Sequence, residues 1–186
     1  MKKTAGTFVV GAIVFALLIT VALPATTSAA KRSDAPTIAE AASSLPQFST
    51  LAFLLDEADL VGLVDGNKHY TVFAPDNDAF LALENAYPGV TACLIDDANV
   101  ELLQGVLAYH LTRGDRYSQS LFPPKSIKML NGAYATTSLD GGRSIAGASI
   151  IEPFDVRVKN GVIHAIDAVI VDDGTFQNIV ATCYPQ

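Results

Sequence analysis

The residue periodicity changes near Gly114, and that change restricts the folds open to this chain. Before it, apolar residues recur at helical spacing. Phe48, Leu51, Leu54, Leu55 and Ala58 share one face after Pro46, and Leu103, Val106, Leu107 and His110 fall at i, i+3, i+4 and i+7. Thr37 with Glu40 three residues on predicts a short helix over residues 37–42, opened by a capping box. Tyr70-Thr71-Val72-Phe73-Ala74, closed by Pro75, reads as a buried strand, and Asp76 and Asp78 open the helix that follows through Ala79, Phe80 and Leu83. Residues 85–97 read as an irregular connection. Beyond Gly114 short runs at 127–130, 134–139, 144–145, 148–151, 156–158 and 162–171 read as strands. Asn131-Gly132, Asp140-Gly141-Gly142 and Asn160-Gly161 supply residues that accept positive φ at the turns between them. Helices first and strands afterwards predict an α+β domain with a largely antiparallel sheet rather than a βαβ repeat.

The 186 residues suffice for one domain. Lys2 and Lys3 precede an uncharged run over residues 8–23, then Pro24 and the small residues Thr26 to Ala30. This is the layout of a secretory signal peptide over residues 1–29, with cleavage after Ala29; if uncleaved, it would be a membrane anchor. Residues 30–36 form a flexible lead-in, 37–171 the domain, and 172–186 a C-terminal tail. Removing residues 1–29 takes away two lysines and no acids, moving the formal charge from −7 to −9. An acidic surface without a Lys/Arg cluster excludes nucleic acid as the expected partner, and it disfavours basic-helix binding to membranes. The membrane is then reached only through an uncleaved N-terminus.

Cys93 and Cys183 are the two cysteines of the chain. In the oxidising compartment that export implies, they would form one disulfide tying the tail back; otherwise they remain two thiols, because sequence does not place their Cα atoms together.

Three stretches together resemble the fasciclin domain. Thr71-Val72-Phe73-Ala74-Pro75-Asp76-Asn77-Asp78-Ala79-Phe80 is similar to that family's first signature. Tyr109-His110 matches its Tyr-His motif, and residues 160–171, from Asn160-Gly161 through His164 and Asp167 to Val171, resemble its second signature. They stand in the family's order across residues 37–171. The resemblance implies a wedge of two antiparallel β-layers with helices packed against it. It also implies an adhesion or interaction module that is not an enzyme and carries no cofactor. Its contact residues would be Tyr109 and His110 with Leu107 and Leu111, and Thr71, Phe73, Pro75, Asp76, Asn160, Gly161, His164 and Asp167 would be structural. The partner would be a cell-surface or matrix protein or polysaccharide, met outside the cell or in the periplasm.

Both faces of residues 162–171 are mainly apolar, which predicts a central strand and makes His164 and Asp167 buried polar groups in need of partners. Arg113-Gly114-Asp115 spells the integrin-recognition tripeptide in a turn, although Gly114 at positive φ after an element's end accounts for it as well. His69, His110 and His164 would suit zinc only if the fold gathered them, and no metal-ligand spacing suggests that; no metal is expected. No nucleophile elbow, Walker loop or dinucleotide fingerprint occurs, and the pairs Asp76/Asp78, Asp96/Asp97 and Asp172/Asp173 fit helix starts or loops. Two alternatives to adhesion have structural requirements. A carrier of a lipid-like apolar ligand between the β-layers needs an enclosed cavity of several hundred cubic ångströms. A hydrolase needs His110 or His164 accessible beside a carboxylate.

Overall fold

The computed structural model describes residues 34–122 and 124–185, so the predicted signal segment and residues 30–33 of the lead-in lie outside it. Among the described residues no helix is long and apolar enough to cross a membrane. The fold is α+β, with the helices preceding most of the strands as the patterning predicts.

Helix α1 (Ile38–Ser44) opens on the capping box: Thr37 accepts from Glu40 N–H and Glu40 returns the bond to Thr37 N–H. A 3-10 turn at Pro46–Phe48 leads into α2 (Ser49–Glu57) and the short α3 (Val61–Val64). All five predicted apolar positions, Phe48, Leu51, Leu54, Leu55 and Ala58, are buried. Strand β1 (Tyr70–Pro75) is buried at every residue, and Asp76 caps α4 (Asn77–Ala86) by accepting from Ala79 N–H at 2.8 Å. Helix α6 (Val100–Tyr109) buries Leu103, Val106 and Leu107 as the spacing predicts.

The strands β2 (Leu111–Arg113), β3 (Ser126–Lys128), β4 (Tyr134–Ser138), β5 (Ser144–Ile145), β6 (Ala148–Val158) and β7 (Gly161–Ile166) join β1 in one sheet, in the order β2-β1-β7-β6-β5-β4-β3. Its pairings are antiparallel except β1 with β7, which run parallel from Tyr70↔Gly161 to Pro75↔Ile166. The sheet curls until its two ends meet: Thr112 on β2 donates to Lys128 O on β3 at 2.8 Å, and Leu130 N–H donates to Leu111 O at 2.8 Å. One core lies between the helices and the sheet, and a second between the sheet's own layers. Alternation along β1 and β7 feeds both: Val72, Ala74, Ile163 and Ala165 face the first, Phe73 and Ile166 the second. The central, doubly covered strand expected near residue 162 is therefore β7.

Several expectations are corrected. Residues 85–97 are not irregular throughout, since Val90–Leu94 forms α5, whose N-terminal amides at Gly89 and Thr91 are held by the Glu84 carboxylate. Residues 118–121 form the one-turn helix α7 (Ser118–Leu121). The runs at 148–151 and 156–158 belong to the single strand β6, which bulges between Ile151 and Val156. Strand β7 stops at Ile166, so Asp167 is exposed instead of buried and accepts from Ser149 N–H at 2.7 Å. The tail is mainly helix α8 (Asp173–Cys183), capped by Asp172 and packed on α5 and α6. Cys93 and Cys183 are bonded across 90 residues of sequence, which fastens α8 to α5.

Asn160-Gly161 is not a positive-φ turn. The Asn160 side chain is buried, accepts from Ile38 N–H at 2.9 Å and donates to Val64 O at 2.6 Å and Gly66 O at 3.0 Å, which latches α1 and α3 to the start of β7. At Gly161 the requirement is proximity: a Cβ there would run into the carbonyl oxygen of Tyr70 and the Ile38 side chain.

Candidate functional site

The loop after β2 is where the signature residues converge. Gly114 has φ 84°, as expected of a turn after an element's end, and its N–H donates to His69 O at 2.8 Å. Thr71, buried on β1, donates to Gly114 O at 2.7 Å and accepts from Arg116 N–H at 2.8 Å. The Arg116 carbonyl accepts in turn from His164 Nε2 at 2.7 Å, and Asp155 accepts from Ser118 N–H at 2.6 Å. Thr71 and His164, two structural residues implied by the resemblance, thus hold one loop from adjacent strands. Phe73 stacks on the His164 ring, with centroids 5.7 Å apart. In the tripeptide, Arg113 is exposed, while the Asp115 carboxylate is occupied by His69 Nδ1 at 3.0 Å. An integrin-type presentation of Asp115 would first have to break that pair.

The residues inherited as contacts lie elsewhere. Leu107, Tyr109, His110 and Leu111 are each 2–4% exposed, so the folded domain offers almost none of their side-chain surface to a partner. The physical reason is position: they form the junction of α6 with β2, which both cores enclose. His110 Nδ1 donates to Val106 O at 2.8 Å, and its Nε2 accepts from Ile170 N–H at 3.1 Å, which stitches the segment after β7 to α6. Burial pulls the His110 pKa down to about 4, against the opposing pull of the Val106 carbonyl. Burial lowers that of His164 too, with the Arg116 carbonyl and Asp155 opposing. Both rings are neutral at physiological pH.

These environments bear on the alternatives. His110 and His164 are 2% and 0% exposed, so neither is the accessible imidazole that the hydrolase alternative asks of them, although Asp155 comes within 3.7 Å of His164; the exposed imidazole beside a carboxylate is His69, with Asp115 at 3.0 Å. The three histidines have separate partners: Asp115 for His69, Val106 and Ile170 for His110, Arg116 and Asp155 for His164. Apolar voids in the helix-side core hold only about 10 to 20 Å³ each, too little for a lipid-like ligand on that side of the sheet.

Sequence reading missed the aromatic surface at the C-terminal end of α4. Tyr87 packs edge-on against Phe176 of α8, centroids 5.6 Å apart, and lies 6.4 Å from Tyr184. Tyr87 and Phe176 remain 36% and 38% exposed. Alongside them Phe176, Val180, Ala181, Tyr184 and Pro185 line a groove of about 340 Å³. The Tyr184 hydroxyl donates to Pro88 O at 3.0 Å, and the adjacent disulfide fixes the same two segments. The aromatic spacing in the tail, Phe176 and Tyr184 eight residues apart on one helical face, was the available signal.

The family model for the fasciclin domain matches residues 46–172. Protein sll1483 of Synechocystis is 34% identical over 147 residues, 79% of this chain and 79% of its own length. The immunogenic protein MPB70 of Mycobacterium bovis is 31% identical over 140 residues, 72% of this chain and 68% of that one. Human periostin is 30% identical over 141 residues, and there the matched region is 75% of this chain but 16% of periostin. Among solved structures, a FAS1 domain pair from the insect cell adhesion molecule fasciclin I aligns with a TM-score of 0.62 over 75% of this chain and 52% of that one. At 16% identity that likeness concerns the fold. The match over residues 46–172 and the order of the three signatures place this chain in the fasciclin domain family.

Proposed function

We propose that the chain is an exported adhesion or interaction module that meets a protein or matrix partner through the aromatic face of α4 and α8. The carrying observation is the cluster of Tyr87, Phe176 and Tyr184, with two rings more than one-third exposed and an apolar groove beside them. Large aromatic side chains held rigidly supply contact area at little entropic cost, which is why they are enriched in interfaces. The disulfide supports the reading twice: it holds the face in one arrangement, and it suits the oxidising compartment that the N-terminal layout implies. Within this reading, Leu107, Tyr109, His110 and Leu111 act from below, by setting the packing of α6 against α8.

The test is retention of the purified domain on surface or matrix material of the source cells. Phe176→Ser and Tyr87→Ser, checked for folding, are expected to lower retention several-fold, whereas Tyr134→Ser, at a 63% exposed ring on β4, leaves it unchanged. Equal retention of all three variants would overturn the choice of face.

A further inference from the structure

We propose that the cleft at the seam of the sheet binds a compact, multiply charged oxyanion through Arg113, Arg116 and Lys128. The seam is the place where the first and last strands of the sheet, β2 and β3, meet without forming a ladder. Beside it lies an open cleft of about 550 Å³ lined by Thr112, Arg113, Arg116, Lys128 and the turn 129–132. That volume falls within the roughly 300–1,000 Å³ usual for small-ligand sites.

The charge distribution is the main argument. The chain carries a net charge of −7, yet three of the eight Lys and Arg residues between positions 34 and 185 line this one cleft. Among the described residues, no carboxylate pairs with any of the three. Arg116 Nε is buried and has no hydrogen-bond partner among the described residues. A buried donor without an acceptor is costly, and an oxyanion in the cleft would supply one once the guanidinium turns Nε outward. The nearest turn residue, Asn131, is committed: its amide donates to Asp172 Oδ2 at 2.8 Å and its oxygen accepts from Ala133 N–H at 3.1 Å. Asp172 is likewise hydrogen-bonded to Asn131 and Thr175 and does not line the cleft. The cleft therefore presents cations on a polar but internally satisfied frame.

The backbone of that frame is held in place. Arg116 is pinned through its N–H by Thr71 and through its carbonyl by His164, and Lys128 through its carbonyl by Thr112. Cations clustered along a cleft raise its local potential even when the protein as a whole is anionic. The surrounding negative charge repels a long polyanion, which selects for a compact ligand whose carboxylates or phosphates fit inside. Arginine's planar fork suits either group in bidentate fashion.

Isothermal titration of the chain with trigalacturonate, with pyrophosphate and with neutral maltotriose tests the site and separates the two sources of oxyanion. At least one anionic ligand is expected to bind, with affinity falling several-fold between low and physiological salt, while maltotriose does not. The double variant Arg116→Met/Lys128→Met is expected to lose roughly tenfold or more in affinity, and Arg157→Met, at an exposed cation on β6, loses none. Amide shift changes in the unaltered protein, confined to residues 112–116 and 128–132, give a readout independent of any variant. Absence of binding by both anions at millimolar concentration, equal binding of maltotriose, or shifts located at α8 instead would overturn the proposal. The last outcome would leave the aromatic-face reading standing, because that face lies on α4 and α8.

Discussion

His164 Nε2 lies 2.7 Å from the backbone carbonyl oxygen of Arg116, so a buried ring on the central strand holds the loop that follows β2. A carbonyl only accepts, which places the ring proton on Nε2 and leaves Nδ1 to accept from Asp155 N–H at 3.2 Å. One neutral imidazole thus satisfies two backbone groups from different segments. That explains why a polar residue is tolerated at a position with no solvent exposure.

Replacing His164 with Ala removes both bonds and leaves a cavity against Phe73; the expected cost is roughly 3 kcal/mol in urea unfolding. His69→Ala, at the exposed pair with Asp115, should cost about 1 kcal/mol or less. Comparable losses at the two sites would contradict the account of His164 as a buried clamp.

Acid should weaken the fold before most carboxylates titrate. Folding holds His110 at about 4 against an ordinary 6.5, so between those values the unfolded chain binds the extra proton. Its stabilising contribution is complete above about pH 6.5, declines as pH falls, and is lost below about pH 4, a span worth roughly 3 kcal/mol. His164 is shifted in the same direction and adds to the slope. Urea midpoints measured across that window should fall with pH, and less steeply in His110→Gln; a flat profile would refute the assignment.

Gly161→Ala should prevent native folding or reduce it to a minor population, because the new methyl would occupy the place of the Tyr70 carbonyl, across the parallel pairing of β7 with β1. Gly132→Ala, with φ 95° but nothing near its Cβ position, should cost only about 1 kcal/mol of backbone strain. Thermal melts of the two variants separate crowding from conformational strain.

Changing both Cys93 and Cys183 to Ser opens a loop closed across 90 residues and should destabilise the domain by roughly 2–4 kcal/mol. Because α8 buries only Ile179 fully, the loss should appear first there, as early proteolytic cleavage within residues 173–183. Cleavage that begins instead in α1 would argue against the disulfide as the fastening of the tail.

The legible parts of the fold were those whose signal is local. The Thr37–Glu40 box, the Asp76 cap and the apolar stripes of α2 and α6 each depend on residues within about three turns of one another, and each stands where the spacing placed it. Helices α5 and α8 were not legible as elements. Each buries two residues or fewer, so the stripe is thin, and a 90-residue disulfide and packing on α6 supply what periodicity lacks. Asp167 misled because apolar residues continue past Ile166 although strand pairing ends there.

By itself the sequence determined the α+β class, the succession of helices before most strands and the three signatures, since those follow from hydrophobic period, capping and turn chemistry along a short stretch of chain. Only the tertiary structure decided which motif side chains face solvent. Tyr109 and His110 are covered by elements distant in sequence, and Arg113, Arg116 and Lys128 share a cleft because the two ends of the sheet curl together. Exposure is a property of what packs on top of a residue, and that information lies in contacts the chain makes far from the residue itself.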